Sequence, residues 1–320
     1  MDANTTRLDG KVVVTGAAGL VGQNLVLMLR ERGYRHIVAI DKQPANLQLL
    51  ARLNPGVRVV LADLAERGAW EAEFQGAAGA VVLHAQITGL TAAPFLRNNV
   101  QASALVFAAI AAARVPFTVH VSSSVVNSVA DDDYTRTKKT QERMFLDSGL
   151  PGCVLRPTLM YGWFDPKHFG WLARFMRKMP VFPIPGHGRY MRQPLYERDF
   201  CRAIVWCIEH RPLAQVYDLV GHERADYVDI IRRIRTALRL RRPLVHVPVP
   251  LFAALLRIAA LFTDKPPFTA DQLKALTAGD DFTGVDMRAT FGFDPTPLTD
   301  GINETFRDPR YGALAVERAD

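Results

Sequence analysis

The stretch TGAAGLVG, residues 15–22, decides the fold of this chain. It lies between the apolar run Val12–Val14 and the apolar-periodic stretch Leu20–Leu29, an order that predicts a strand, a glycine turn and a helix. The backbone N–H groups of such a turn and the positive end of the helix suit a phosphate group. With glycines at positions 16, 19 and 22, the sequence predicts a dinucleotide site here, and an ordinary tight turn is the alternative.

An acidic residue, Asp41, follows the next apolar run, Ile37–Ile40. A carboxylate at the tip of the second strand can accept hydrogen bonds from both ribose hydroxyls of the adenosine half, and it repels a 2′-phosphate. Asp41 therefore favours NAD over NADP, while Lys42 directly after it weakens the preference. A solvated aspartate at the start of a loop is the alternative.

Composition limits the classes of protein to which the chain can belong. Its 320 residues are 49% hydrophobic, which allows a large core and a smaller second lobe. Cys153, Cys201 and Cys207 follow no zinc-ligand spacing, so we expect no disulfide framework, no metal site and a cytoplasmic setting. The polar N-terminal residues lack the apolar core of a signal peptide.

The net charge of +7 raises the question of an acidic partner. Arginines alternate with apolar residues at helical spacing over Ile231–Pro243, which predicts a solvated helix face, with attraction for phosphorylated substrates as the second interpretation. No helix-turn-helix or zinc-finger spacing occurs, so we expect no nucleic-acid partner. The apolar stretch Val249–Phe262 is short and contains Arg257. We predict a buried or partly exposed helix there without stable membrane insertion, and contact with a membrane surface is the alternative.

Apolar strands and amphipathic helices alternate through residue 156, which predicts a parallel sheet with helices on both faces. The predicted strands are 11–15, 37–40, 57–61, 80–84, 117–121, 153–156 and 215–220, and the predicted helices include 20–32, 94–113, 134–148 and 199–209. The fold class is α/β, a Rossmann-type doubly wound parallel sheet with a smaller C-terminal substrate-binding lobe. We assign residues 1–157 to the dinucleotide-binding domain, to which 193–221 return, and residues 158–192 and 222–320 to the substrate-binding lobe.

A tyrosine and a lysine four residues apart follow the fifth predicted strand. That strand runs into Ser122-Ser123-Ser124, and the next helix opens with YTRTK, which places Tyr134 and Lys138 on one helix face. A free phenol has a pKa of about 10, and an adjacent ammonium with a positively charged nicotinamide would lower it. A serine hydroxyl within reach could hold the substrate oxygen and relay its proton. The position predicts a catalytic pair, and a surface tyrosine beside a solvated lysine is the alternative.

Together these segments resemble the extended branch of the short-chain dehydrogenase/reductases, the nucleotide-sugar epimerase/dehydratase family, over nearly the full length of the chain. Besides the glycine turn and the YTRTK helix, the matching segments are Asp41, Ala62–Leu64, Asn99-Val100, SSSVVN from Ser122, RPTLMYG from Arg156 and RQPLYERDF from Arg192. The resemblance implies NAD as cofactor, Tyr134 as the acid/base and Lys138 as the ligand of the nicotinamide ribose. It selects Ser123 as the catalytic hydroxyl, with Ser124 as the alternative.

The resemblance also implies the remaining site residues. Arg192 stands seven residues before Asp199, the spacing of a family arginine that grips the diphosphate of a sugar nucleotide, and a surface ion pair is the alternative. Asn99 is expected to be structural, because it holds the active-site strand. The implied cofactor-binding residues are Gly16, Ala18, Gly19, Leu20, Val21, Gly22, Asp41, Lys42, Asp63, Leu64, His84, Ala85, Gln86, Asn99, Tyr134, Lys138 and Pro157, and the implied substrate-binding residues are Ser123, Ser124, Tyr161, His168 and Arg192.

Departures from the family pattern shape the functional prediction. Family dehydratases carry an Asp-Glu pair where this chain has Ser124-Val125, so a 4,6-dehydratase is disfavoured for lack of a catalyst that expels water. We predict an NAD-dependent epimerase of a nucleotide-activated sugar that acts through a keto intermediate at C4. A nucleotide-sugar 4-ketoreductase or dehydrogenase using NAD or NADP, a non-sugar alcohol dehydrogenase and a non-catalytic NAD-binding subunit are the alternatives.

Alanines recur along the helix predicted at 94–113. Related enzymes commonly dimerise by pairing two helices of each subunit into a four-helix bundle, and close packing would be allowed by Ala102, Ala104, Ala108, Ala109 and Ala112. We therefore expect a homodimer, and an alanine face that merely lies on the sheet is the alternative.

Overall fold

The computed structural model describes residues 9–260, 273, 276 and 282–317. The chain forms two compact units, of which the first comprises residues 1–158, 197–219 and 284–295, and the second comprises 159–196, 220–283 and 296–320. The sequence assigned all of 222–320 to the second lobe, and this is wrong for 284–295. That segment belongs to the first unit because Val285 N donates to Asp218 O and Phe291 packs its ring edge-on against Trp206.

The elements are numbered in chain order. The strands are β1 (Lys11–Thr15), β2 (Ile37–Asp41), β3 (Arg58–Leu61), β4 (Ala77–Val82), β5 (Thr118–Val121), β6 (Gly152–Pro157), β7 (Met160–Tyr161), β8 (Phe182–Pro185), β9 (Met191–Arg192), β10 (Leu195–Tyr196), β11 (Val216–Leu219), β12 (Ala225–Asp226) and β13 (Leu244–Val247). The helices are α1 (Leu20–Glu31), α2 (Pro44–Leu53), α3 (Ala92–Phe95), α4 (Ala102–Ala112), α5 (Asp133–Asp147), α6 (Phe169–Lys178), α7 (Glu197–His210), α8 (Tyr227–Ala237), α9 (Val249–Ala260), α10 (Met287–Phe291), α11 (Leu298–Arg307) and α12 (Gly312–Glu317). None of the described helices is long and apolar enough to cross a membrane.

One parallel sheet of seven strands forms the centre of the first unit, in the order β11-β6-β5-β4-β1-β2-β3. The predicted doubly wound α/β fold is confirmed. The direction of the strand order reverses between β1 and β4, and in such sheets ligands bind beyond the carboxyl ends of the strands at this switch point. The predicted glycine turn and the segment after β4 both begin there.

The sheet is held by apolar side chains on both of its faces. Val13, Ile40 and Val82 are buried together with Val106 and Ile110 of α4 in one continuous core. Each such side chain stabilises the fold by about 1.5–3 kcal/mol when it is removed from water. The alternation of short apolar runs and amphipathic helices could predict this core because the strands are buried on both faces.

Two predicted elements differ from the structure. The strand expected at 80–84 is β4, which runs from Ala77 to Val82, because the chain beyond Val82 turns against Gly16. The single helix expected at 94–113 is α3 and α4 with a π-helical turn, Leu96–Gln101, between them. This turn points the Asn99 side chain into the interior, where it bonds to other segments.

Only some of the alanines of α4 are available for the packing expected of a dimer. Ala102 and Ala109 are buried in the core of the first unit. Ala104, Ala108 and Ala112 are exposed and recur at intervals of four, so they share one face of the helix. The homodimer itself stays a prediction.

The second unit combines three small strand pairs with helices. β7 pairs with β10 and β8 pairs with β13 in parallel, while β9 and β12 pair antiparallel. Its core includes Phe169, Met176, Ile231, Ile234 and Ile302. Strands of two to four residues are too short to show a period of two in the sequence, which is why none of them was predicted.

We predict that Gly22→Ala destabilises the protein. A Cβ at position 22 would lie 2.5 Å from Ala17 Cα, and the backbone of the tight turn leaves no room for it to move. Overpacking of this kind costs about 1–3 kcal/mol, which should outweigh the higher helix propensity of alanine. Urea denaturation of the protein without added ligand measures the loss.

Gly19→Ala is the matched control, because its Cβ would meet nothing nearer than Gly16 O at 3.3 Å. Since a single contact at 3.3 Å needs a smaller displacement than the three at 2.5–2.6 Å around position 22, Gly19→Ala should lose less stability than Gly22→Ala. Equal stability of all three proteins would show that the turn is not tightly packed.

Candidate active site

The glycine turn after β1 fits the phosphates of a dinucleotide. Gly16 has a φ of +66°, and a Cβ there would lie 2.6 Å from His84 N, so the turn packs directly on the segment after β4. Gly19 is the N-cap of α1, and no side chain caps that helix end. Because Gly19 carries no side chain and no side chain caps this helix end, an anion can approach the first N–H groups of α1.

Asp41 is connected to this turn. Its carboxylate accepts hydrogen bonds from Ala18 N and Gln43 N, each at 2.9 Å. Burial raises the pKa of Asp41, and these backbone hydrogen bonds lower it in part. The predicted ribose-binding carboxylate therefore lies beside the predicted phosphate-binding turn, as a dinucleotide requires.

The predicted cofactor-binding residue Asp63 already has protein partners. Its carboxylate accepts from Arg97 at 2.9 Å and from Ala65 N at 3.0 Å, and Lys42 Nζ lies 3.8 Å away. Lys42 also donates to Asn98 Oδ1 at 2.6 Å. Arg97 was missed by sequence reasoning, since it comes from a segment 34 residues further along the chain.

The other predicted cofactor residues lie near the carboxyl ends of the strands. Leu20 and Val21 begin α1, Leu64 is buried in the turn after β3, Ala85 and Gln86 follow β4, and Pro157 ends β6. Among the residues that the structure describes, no group of His, Cys, Asp and Glu side chains converges as metal ligands would.

The structure places the hydroxyl of Ser123 near enough to the phenol of Tyr134 to affect the pKa of that phenol. Ser123 caps the short helical turn Ser124–Asn127 that follows β5, and Tyr134 lies in the first turn of α5. Burial raises the pKa of Tyr134, and the hydrogen bond from Ser123 lowers it in part. Ser123 and Ser124 are both buried, and Ser123 is the one whose hydroxyl acts on the Tyr134 phenol.

Lys138 lies one turn after Tyr134 and is only 1% exposed. Its ammonium donates to Val121 O at 3.1 Å and to Gln141 Oε1. Burial lowers the pKa of Lys138 to about 7, while the charge of Glu142 raises it. Burial has the largest effect on both groups here, and the lowering of the Tyr134 pKa by the ammonium together with a positively charged nicotinamide stays a prediction.

A chain of buried hydrogen bonds continues from Lys138 to β1. Gln141 Nε2 donates to Ser103 Oγ at 2.7 Å, His84 Nε2 lies 3.0 Å from Ser103 Oγ, and His84 Nδ1 lies 3.0 Å from Thr15 Oγ1. Burial lowers the pKa of His84 to about 3, so its ring is neutral. Gln141 and Ser103 were missed, although Gln141 stands three residues after Lys138, a spacing that shares a helix face.

Asn99 connects the segment after β4 to the Tyr134 helix. Its side chain accepts from Gln86 N at 2.6 Å and donates to Gln86 O and Thr137 Oγ1, both at 3.0 Å. Because these protein groups satisfy its buried amide, Asn99 acts through the segment it holds rather than by touching a cofactor. Its predicted structural role therefore has a geometric basis.

A second polar cluster fixes the turn that carries Ser123. Asn127 Nδ2 donates to Asp218 Oδ1 at 3.0 Å, and Arg156 lies between Asn127, Asp218 and Glu142. Arg156 Nε donates to the Glu142 carboxylate at 3.0 Å. Since Glu142 is on α5, this cluster joins β6 and β11 to the helix of Tyr134.

The predicted substrate residues of the second unit differ in their surroundings. Tyr161 is 1% exposed and stacks between Phe169 and Tyr196, so it is a core residue and its predicted contact with substrate is wrong. His168 is half-buried at the start of α6, where its backbone N–H donates to Asp165. Arg192 is half-buried on β9, and its charge partly offsets the rise in the pKa of Tyr227 that burial causes.

We predict that Lys138→Met changes the pH dependence of stability. Between about pH 7 and 10.5, Lys138 is protonated in the unfolded chain and neutral in the folded one, so the wild-type free energy of unfolding rises with pH. Relative to Lys138→Met, the slope should approach about 1.4 kcal/mol per pH unit. Urea denaturation across this range measures it.

Lys139→Met is the matched control, because Lys139 is the neighbouring lysine and is exposed. Its stability should follow the wild-type pH dependence. If the curves of wild type and Lys138→Met ran parallel, the buried ammonium would not have the lowered pKa.

Comparisons with known proteins agree with this geometry. The model of the NAD-dependent epimerase/dehydratase family matches residues 12–219. One relative is a 4-hydroxy-2-methyl-3-oxo-4-farnesyl-3,4-dihydroquinoline-1-oxide ketoreductase from Stigmatella aurantiaca. It is 29% identical to this chain over 65% of this chain and 67% of its own length. A ceramide reductase from Caulobacter vibrioides is 24% identical over 75% of this chain and 74% of its own length. The structure of UDP-glucuronic acid 4-epimerase from Bacillus cereus with NAD superposes with a TM-score of 0.71 at 20% identity, over 95% of this chain and 96% of that one. The chain is a member of the NAD-dependent epimerase/dehydratase family, an enzyme of the extended short-chain dehydrogenase/reductase type whose cofactor is NAD.

Proposed function

We propose that this enzyme reduces the ketone of a largely apolar substrate to a secondary alcohol with NADH. The observation that carries the proposal is the placement of the Tyr134 phenol beside the Ser123 hydroxyl, with the buried Lys138 one turn later on the same helix. Two hydroxyls that converge in this way can hold one ketone oxygen between them. The reverse reaction, oxidation of the alcohol, uses the same groups.

The protonation state of Tyr134 supports reduction of a ketone rather than oxidation of an alcohol. NADH supplies the hydride. The ketone oxygen needs a proton, and Tyr134 can donate it while the Ser123 hydroxyl keeps that oxygen in place. Because burial raises the pKa of Tyr134, the phenol stays protonated at neutral pH, which is the form that a general acid must have.

The relatives support an apolar substrate. The Stigmatella ketoreductase is named for a farnesylated quinoline oxide, and the Caulobacter reductase for ceramide. Both alignments extend over at least 65% of this chain. The likeness to sugar-nucleotide enzymes in three dimensions is at 20% identity and supports the fold alone.

The epimerase expected from the sequence is the second candidate. Arg192 favours it, because a half-buried guanidinium can bind the diphosphate of a nucleotide-activated sugar in a bidentate manner. An epimerase would return the hydride to the opposite face of the same carbon and would release no reduced cofactor. It would therefore keep NAD bound through purification, whereas a reductase exchanges its cofactor in every turnover.

The first test compares substrates. We expect NADH consumption with long-chain ketones such as 3-ketosphinganine, and no conversion of UDP-glucuronic acid or UDP-glucose into a second sugar nucleotide. Protein denatured after purification should release less than one NAD per chain. Tightly retained NAD together with sugar-nucleotide conversion would establish the epimerase and overturn the reductase.

We predict that Tyr134→Phe lowers kcat about 10²- to 10⁴-fold, the usual contribution of a positioned general acid. The dissociation constant for NADH, measured by fluorescence titration, should change little, since the lost hydroxyl serves the substrate oxygen. Tyr217→Phe, which removes a tyrosine hydroxyl on β11, should keep wild-type activity. Full activity of Tyr134→Phe would exclude this residue as the acid.

A further inference from the structure

Helix α9 exposes an apolar face. Leu251, Leu255 and Ile258 recur at intervals of four and three, so they share one side of the helix, and their exposed fractions are 52%, 52% and 54%. Phe252 and Leu256, on the opposite side, are half-buried. A surface helix ordinarily presents polar side chains to solvent, and the part of the second unit that the structure describes does not cover this apolar face.

The apolar exposure continues on the neighbouring strand pair. Val245 of β13 is 43% exposed, and Val181, directly before β8, is 40% exposed. β13 leads into α9 through a single residue, and Val249 lies against Gly186 at the end of β8. We call these residues the apolar surface: Val181, Val245, Leu251, Leu255 and Ile258, all of the second unit.

The sequence segments that form the apolar surface are strongly basic. Residues 230–260 contain no Asp or Glu, and neither do residues 166–196. Exposed cations occur in both segments, at Arg177, Lys178, Arg239 and Arg241. Arg242 Nη2 donates to Arg177 O at 3.4 Å, which joins the two basic segments beside the pair of β8 and β13.

We propose that the apolar surface and its basic rim bind the face of an anionic lipid bilayer, with α9 lying in the plane of the interface. Apolar side chains enter the boundary between headgroups and acyl chains, while arginines bind the anionic headgroups. α9 has 12 residues, which is shorter than a membrane-spanning helix, so it lies on the bilayer.

The positive charge of the rim favours an anionic bilayer over the other partners that an apolar face could bind. A second copy of the chain, paired by a two-fold axis, would bring two basic rims together and repel. A nucleic acid would neutralise the arginines but offers no apolar phase for leucine and isoleucine. An anionic bilayer offers an apolar phase to the leucine and isoleucine side chains and negative headgroups to the arginines.

The inference does not depend on the proposed reaction, because lipid binding is measured without turnover. The two are compatible: a reductase held on a bilayer meets ketones that partition into lipid. Absence of ketone reduction would overturn the proposed function alone, and absence of lipid binding would overturn this inference alone.

The experiment is sedimentation of the full chain with vesicles of phosphatidylcholine, with and without about one third phosphatidylglycerol. We expect the wild-type protein to sediment with the anionic vesicles and to be released by high salt. The triple variant Leu251→Ser, Leu255→Ser, Ile258→Ser should lower the partition coefficient at least tenfold. The control triple variant Leu90→Ser, Leu146→Ser, Leu213→Ser changes three exposed leucines of the first unit and should bind as wild type does.

Charge variants test the basic rim. Arg239→Gln and Arg241→Gln should each weaken binding to anionic vesicles about fivefold, and Arg143→Gln, an exposed arginine of α5, should not. Thermal melting confirms that each variant is folded. Wild-type protein that stays in the supernatant with all vesicles, or an apolar triple variant that binds as well as wild type, would overturn the proposal. So would a wild-type dimer that the triple variant dissolves, since the apolar surface would then be a contact between copies.

Discussion

The close approach of Gly16 to the backbone of His84 is the contact on which the rest of the site depends. It places the end of β1 against the segment after β4 at the point where the strand order reverses. His84 can then bond to Thr15 on one side and to Ser103 on the other. Through Gln141 the same chain of hydrogen bonds reaches Lys138, so the glycine turn and the helix of Tyr134 are joined by one buried polar connection.

Burial changes the pKa values of Tyr134 and Lys138, both on α5, in opposite directions. It raises the pKa of Tyr134 and lowers that of Lys138. The neutral form is therefore favoured for both, as it is for His84 beside them. A protonated Tyr134 carries no charge, so it costs less to cover with an apolar molecule than a phenolate would, and it holds the proton that a carbonyl reduction needs.

The sequence predicted those features of the structure that depend on residues close together in the chain. The parallel sheet followed from alternating apolar runs, and the pairing of Tyr134 with a serine followed from a strand end just before a helix. Residues whose role depends on distant segments were missed or misplaced. Tyr161 belongs to a plausible motif, yet Phe169 and Tyr196 enclose it. Arg97 and Ser103 act through partners 34 and 19 residues away, and no local period reveals such pairs.

Because residues 284–295 belong to the first unit, that unit is assembled from three separate segments of the chain. The chain passes from one unit to the other after residues 158, 196, 219, 283 and 295. A fragment that stops at residue 158 lacks β11, the partner of β6, and also α7, which packs on α1. During synthesis on the ribosome, the nucleotide-binding half therefore cannot be completed until nearly the whole polypeptide has emerged.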